Sequence, residues 1–107
     1  WIMISVFVHK KKNQIEKVVM KGHAMYDDYG KDIVCAGVSA VVTTSVNAIL
    51  RLREDSIFFE EGSTLTISVL KEDEITNALL ENMIDLLSEL AESYPKNIKI
   101  KEDRTND

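Results

Sequence analysis

The chain has 107 residues, long enough for one domain with one core, and a formal net charge of −5 that offers no general attraction to phosphate and argues against a direct nucleic-acid partner. No run of apolar residues approaches the ~20 of a bilayer span, and no secretory leader is visible, so no membrane association is expected. The single cysteine excludes an intrachain disulfide and points to a reducing compartment, the cytoplasm.

Residues 3–8 alternate, with Ile4, Val6 and Val8 on one side, and predict a strand whose Met3 is a candidate natural start. Lys10, Lys11 and Lys12 read as a solvated charge run leading into a turn at Asn13, and residues 15–20 predict the returning strand of a hairpin. Residues 22–31 follow neither period and carry two glycines, two aspartates, two tyrosines and a histidine, the pattern of an ordered surface loop that bears function.

Residues 33–53 form the longest apolar-rich segment and predict a central helix, its many valines requiring burial to compensate for modest helix propensity. Residues 56–59 and 65–70 predict a second hairpin turning at Gly62. Residues 73–93 place Ile75, Leu79, Met83, Leu86, Leu87 and Leu90 on one face of a helix whose opposite face is acidic. Pro95 ends it, Ile98 and Ile100 make a last strand, and residues 101–107 are expected to fray. The predicted architecture is a compact α/β sandwich in the order ββαββαβ, a mixed sheet with two helices, in a single domain over residues 1–107.

The chemistry concentrates where the loop meets the central helix. Cys35 falls at the helix start, where backbone N–H groups and the helix dipole favour a thiolate. His23, twelve residues earlier, can fold back to meet the sulfur and form a thiolate–imidazolium pair. Each also has a plainer use: Cys35 as a small core residue and His23 as a loop residue bonded to backbone. Asp32 serves either as the helix N-cap or as the group that orients His23. Ser39 shares a helix face with Cys35 and either steadies the site or bonds back to the preceding turn. Gly22 and Gly30 allow close approach or positive φ, or punctuate the loop. His9, His23 and Cys35 lack metal-ligand spacing, so neither a metal nor another cofactor is expected.

Gly-His-Ala at 22–24, Gly-x-Asp-Ile-Val-Cys-Ala-x-x-Ser at 30–39 and Asn47 resemble the signature of the bacterial ribosomal-processing cysteine protease family, Prp. The resemblance extends to the first strand, the Gly62 turn and the Tyr94-Pro95 stop, and so covers nearly the whole chain. It implies a compact α/β fold, a homodimer, and removal of the N-terminal extension of a large-subunit ribosomal protein, number twenty-seven in the bacterial scheme, with the cut after an aromatic pair. It implies Cys35 as nucleophile and His23 as base, with Gly22, Asp32 and Ser39 in support. Tyr26 and Gly30 fall in a substrate loop whose stretch from 25 to 29 departs from the family pattern. The alternative of another class is a catalytically silent ribosome-assembly or peptide-binding module. A redox sensor built on Cys35 lacks a resolving cysteine in this chain.

Overall fold

The computed structural model describes residues 3–22 and 33–105. Seven elements follow in the order β1 (Ile4–Lys11), β2 (Gln14–Lys21), α1 (Ile33–Leu52), β3 (Ile57–Glu61), β4 (Leu65–Val69), α2 (Glu74–Ser93) and β5 (Ile98–Thr105). This is the expected ββαββαβ order. The strands form one mixed sheet in the order β3-β4-β2-β1-β5, in which only the β1–β5 pair is parallel. The pairing senses make β2 parallel to β3 and β4 parallel to β5, so each helix carries the chain between parallel strands that are not neighbours.

The alternation in the sequence sorts the sheet into two faces. Ile4, Val6, Val8, Val18, Met20, Leu65, Ile67 and Ile98 are buried beneath the helices. Ser5, Phe7 and His9 of β1, with their partners on neighbouring strands, occupy the opposite face. Val34, Val38, Val42, Val46 and Ile49 form one buried stripe along α1. Leu80, Met83, Ile84 and Leu87 bring α2 into the same core.

α1 corrects one expectation: its 20 residues are long and apolar enough, by length and composition, to cross a membrane. The valine stripe is packed into the core of this fold, which gives that apolarity a structural use.

The lysine run is also not the simple solvated turn expected. Lys10 and Lys11 belong to β1, and the turn is Lys12-Asn13, with φ of 53° and 64° at its two central residues. Two left-handed residues in a two-residue loop match the right-handed twist of the flanking strands. The alternation of Ile4, Val6 and Val8 continues to Lys10 and turns it toward α2, where its ammonium lies 3.0 Å from Glu81 and 3.7 Å from Glu102. The register shift beside it sets an extra residue, Glu16, in β2.

A further correction concerns the polar C-terminal stretch, which was expected to fray. Residues 101–105 continue β5 in register with β1, from Phe7↔Lys101 to Lys11↔Thr105. Main-chain pairing holds them, and Arg104 donates to the Asn13 side chain at 2.8 Å. Phe58 and Phe59 divide: Phe59 packs against the core, whereas Phe58 is 54% exposed.

At the other helix, Asp73 is the N-cap of α2, one residue before its first turn, and accepts from the Thr76 backbone N–H at 2.9 Å. The Thr76 hydroxyl, 1% exposed, lies 2.9 Å from both Asp73 Oδ2 and Ser56 Oγ. This buried polar knot ties the start of α2 to the segment leading into β3.

Candidate active site

β2 ends beside the start of β1, and Gly22 directs the chain out of the sheet there. Its φ is +81°, and a Cβ at this position would fall 2.3 Å from the Met3 carbonyl oxygen. No side chain fits, so this glycine is needed by both conformation and space. The ten residues 23–32 then connect it to α1. His23, Tyr26, Gly30 and Asp32 all lie outside the described residues.

Cys35 is the third residue of α1, in the first turn. Backbone N–H groups in a first turn point toward the N-terminal side of the helix, and the dipole makes that end electropositive. The side chain is half-buried and packs against the core. Ser39 follows one turn later on the same side of α1 and is also half-buried. The structure therefore groups Cys35 and Ser39, as the spacing predicts. Gly37 faces the other way, toward Leu90 of α2, whose Cδ1 is 3.5 Å from where a Cβ would stand.

Asn47, twelve residues after Cys35, is exposed and sits about 18 Å further along the helix axis, at 1.5 Å per residue. It does not belong to the geometry around the sulfur.

The chain has two histidines, of which the structure describes His9. His9 projects from the sheet face opposite the helix layer that contains Cys35. Its Nδ1 is 2.5 Å from Asp103 Oδ1, and its Nε2 is 3.2 Å from Thr105 Oγ1 and 3.4 Å from Glu16 Oε1. With the proton on Nδ1, His9 donates to Asp103 and leaves Nε2 to accept from the threonine hydroxyl. This clamp between β1 and β5 was not anticipated from the sequence. The residues it joins are 94 and 96 positions apart, and only the parallel register brings them together. With the sheet between them, His9 is not available as a base for Cys35.

Among the described residues, no group of three His, Cys, Asp or Glu side chains is arranged to hold a metal ion. What remains is a lone thiol at a helix start, next to the only segment that carries the second histidine. That arrangement suits nucleophilic acyl transfer.

Comparison with known proteins decides the class. The model of the family described as cysteine protease Prp matches residues 3–99. The chain belongs to the Prp cysteine protease family. It is 38% identical over 93 residues to the ribosomal processing cysteine protease Prp of Staphylococcus aureus, a match covering 83% of this chain and 88% of that protein. The Bacillus subtilis Prp is 33% identical over 92 residues, covering 76% and 80% of the two chains. A crystal structure of the S. aureus protease with a covalently linked product peptide superimposes with a TM-score of 0.86 at 32% identity, over 94% of this chain and all of that one. As a member of the Prp family, this protein is a cysteine protease. That outcome sets aside the catalytically silent module considered from the sequence.

Proposed function

We propose that this protein is a cysteine endopeptidase that removes the N-terminal extension of a large-subunit ribosomal protein, number twenty-seven in the bacterial scheme, cutting after an aromatic pair. The observation that carries the reading is the position of Cys35: the chain's one cysteine stands in the first turn of α1, where a thiolate is favoured. With His9 on the far face of the sheet, His23 is the histidine left to serve as base. The relatives' names support a ribosomal substrate, and the product peptide held by the S. aureus enzyme supports peptide cleavage.

In the reaction we propose, Cys35 Sγ attacks the peptide carbonyl carbon, and the electron pair moves to the carbonyl oxygen. N–H groups at the start of α1 receive that oxyanion, each worth about 3 kcal/mol if aimed at it. Collapse of the intermediate breaks the C–N bond as the His23 imidazolium donates its proton to the leaving amine. His23 then takes a proton from water, the hydroxide attacks the thioester, and Cys35 is released. Asp32 caps α1 or orients His23, and Ser39 steadies the site. Gly22 and Gly30 let the loop that includes Tyr26 close over the peptide.

The charge of the helix layer suits such a substrate. α2 carries Glu74, Glu81, Asp85, Glu89 and Glu92 and no basic residue, an arrangement that attracts a basic chain. We further propose a cytoplasmic homodimer. Exposed Leu86, and Ile33 at 69% exposure, flank an apolar groove between the helices lined by Gly37, Ala40, Val41 and Leu90, the kind of surface a second copy covers. Incubation with a peptide spanning an aromatic-pair extension, read by mass spectrometry, tests the specificity. A single cut after the pair is expected; cutting elsewhere in the peptide rejects the proposed site preference.

A further inference from the structure

The open face of the sheet has a charge opposite to that of the whole chain. Along its middle, Ser5 stands between Lys21 of β2 and Lys99 of β5, and Phe7 between Val19 and Lys101. In the next row His9 separates Lys17 from Asp103. Four lysines therefore share one face of three adjacent strands, in a chain whose net charge is −5.

These lysines have no carboxylate partner among the described residues, a property they share with Lys11, Lys12, Arg51 and Lys96. Lys10, Arg53, Lys71 and Arg104 each pair with an acidic side chain. Lys17, Lys21, Lys99 and Lys101 form no ion pair among the described residues. Three acids share this face, two of them at the His9 end of the lysine cluster, beside Lys17 and Lys101. Asp103 and Glu16 are engaged with His9, and Glu60 is on the edge strand β3, three strand spacings or about 14 Å from Phe7. Lys21 Nζ sits 5.6 Å from the centroid of the half-buried Phe7 ring, which places an aromatic surface inside the basic patch. Phe58 adds a second, exposed aromatic on the same face, beside Ser68.

We infer that this face binds single-stranded RNA, with the lysines along its phosphates and Phe7 against a base. A sheet face that no described element covers, with aromatics among cations, is suited to a single strand, whose splayed bases can stack on it. It does not fit into a duplex groove, and an acidic peptide would leave the aromatics without stacking partners. The expectation of no nucleic-acid partner followed from net charge, which sums over two faces of opposite sign. The inference is independent of which peptide the active site cleaves.

The test is fluorescence anisotropy of the full chain with a labelled twelve-nucleotide oligouridylate across a salt series. Four phosphate contacts give a slope of log affinity against log salt of about −2.8, at roughly −0.7 per contact. Lys21→Gln/Lys99→Gln/Lys101→Gln should weaken binding about tenfold or more and make that slope shallower by about 2. The charge-matched control Lys12→Gln/Arg51→Gln/Lys71→Gln should weaken it less than about threefold. Phe7→Leu should cost about fivefold or more with oligouridylate and leave binding to heparin, a polyanion without bases, unchanged. Circular dichroism confirms that each variant is folded. No binding by the wild type at low salt, or equal losses in the two triple variants, overturns the proposal. Equal effects of Phe7→Leu on both ligands also reject the single-stranded reading.

Discussion

The two faces of the sheet use the same alternation for different ends. One face is closed: Ile4, Val6, Val8, Val18, Met20 and Ile67 meet the valine stripe of α1 and the leucines of α2, and the cations nearby are paired. The other is open among the described residues, carrying unpaired lysines around Phe7. Cys35 belongs to the closed side, and Gly22 stands at the end of β2, beside Met3. The contrast teaches that the core is built on the helix side, which leaves the sheet's outer face free to vary in charge without loss of fold.

Truncation breaks the comparison most directly. Leu80→Ala or Leu87→Ala, at positions with no exposed surface, should cost about 2–5 kcal/mol in urea unfolding, through lost burial and the cavity left behind. Phe58→Ala on the open face should cost much less, about 0.5 kcal/mol or below. Equal losses at the two sites would show that the outer face is covered in the native protein.

Gly22→Ala comes next. It forces a side chain into the Met3 carbonyl at positive φ and should cost about 1–3 kcal/mol. If Gly22 supports the site as proposed, peptide cleavage should fall more steeply than unfolding alone accounts for. A variant with wild-type stability and turnover contradicts that role.

A smaller effect is expected at the polar knot. Thr76→Val keeps the shape but leaves Ser56 without its hydroxyl partner, for about 1–2 kcal/mol by thermal unfolding. Smallest is the acid response of Asp73. The Thr76 backbone N–H is the leading cause that holds its carboxyl below the usual carboxylate range, with the Thr76 hydroxyl and Arg53 adding to it. A depressed folded value means its stabilisation is complete above the unfolded value of about 3.9 and fades as pH falls through the lower folded one. Asp73→Asn should therefore lower stability at neutral pH and flatten the decline below pH 4, measured as denaturant midpoints against pH. An unchanged acid profile removes Asp73 from the account.

Much of this was legible in the sequence because it depends on neighbours along the chain. The strand alternation, the pairing of Cys35 with Ser39 on one helix side and the helix start at Ile33 all follow from short-range periods. The expected α2 stripe is only half right: Met83 and Leu87 are buried as expected, but Ile75 and Leu86 are exposed and Thr76, Leu80 and Ile84 take the core positions. What escaped depends on distant partners. Residues 101–105 look like a fraying tail until β1 supplies a parallel partner, and Lys10 looks solvated until α2 brings Glu81 to it. A positive φ at Gly22 is among the readings of the sequence, but the neighbour that closes the space, the Met3 carbonyl, is not. The basic patch was hidden by summing charges that the fold places on opposite faces.

The central claim is that Cys35 is the nucleophile, and the most direct measurement is cleavage of the extension peptide by wild type and Cys35→Ala at equal, verified fold. The expected result is one product pair from the wild type and a loss of rate of about a thousandfold or more in the variant, with peptide binding retained. Cleavage by Cys35→Ala at a rate near that of the wild type would contradict the account.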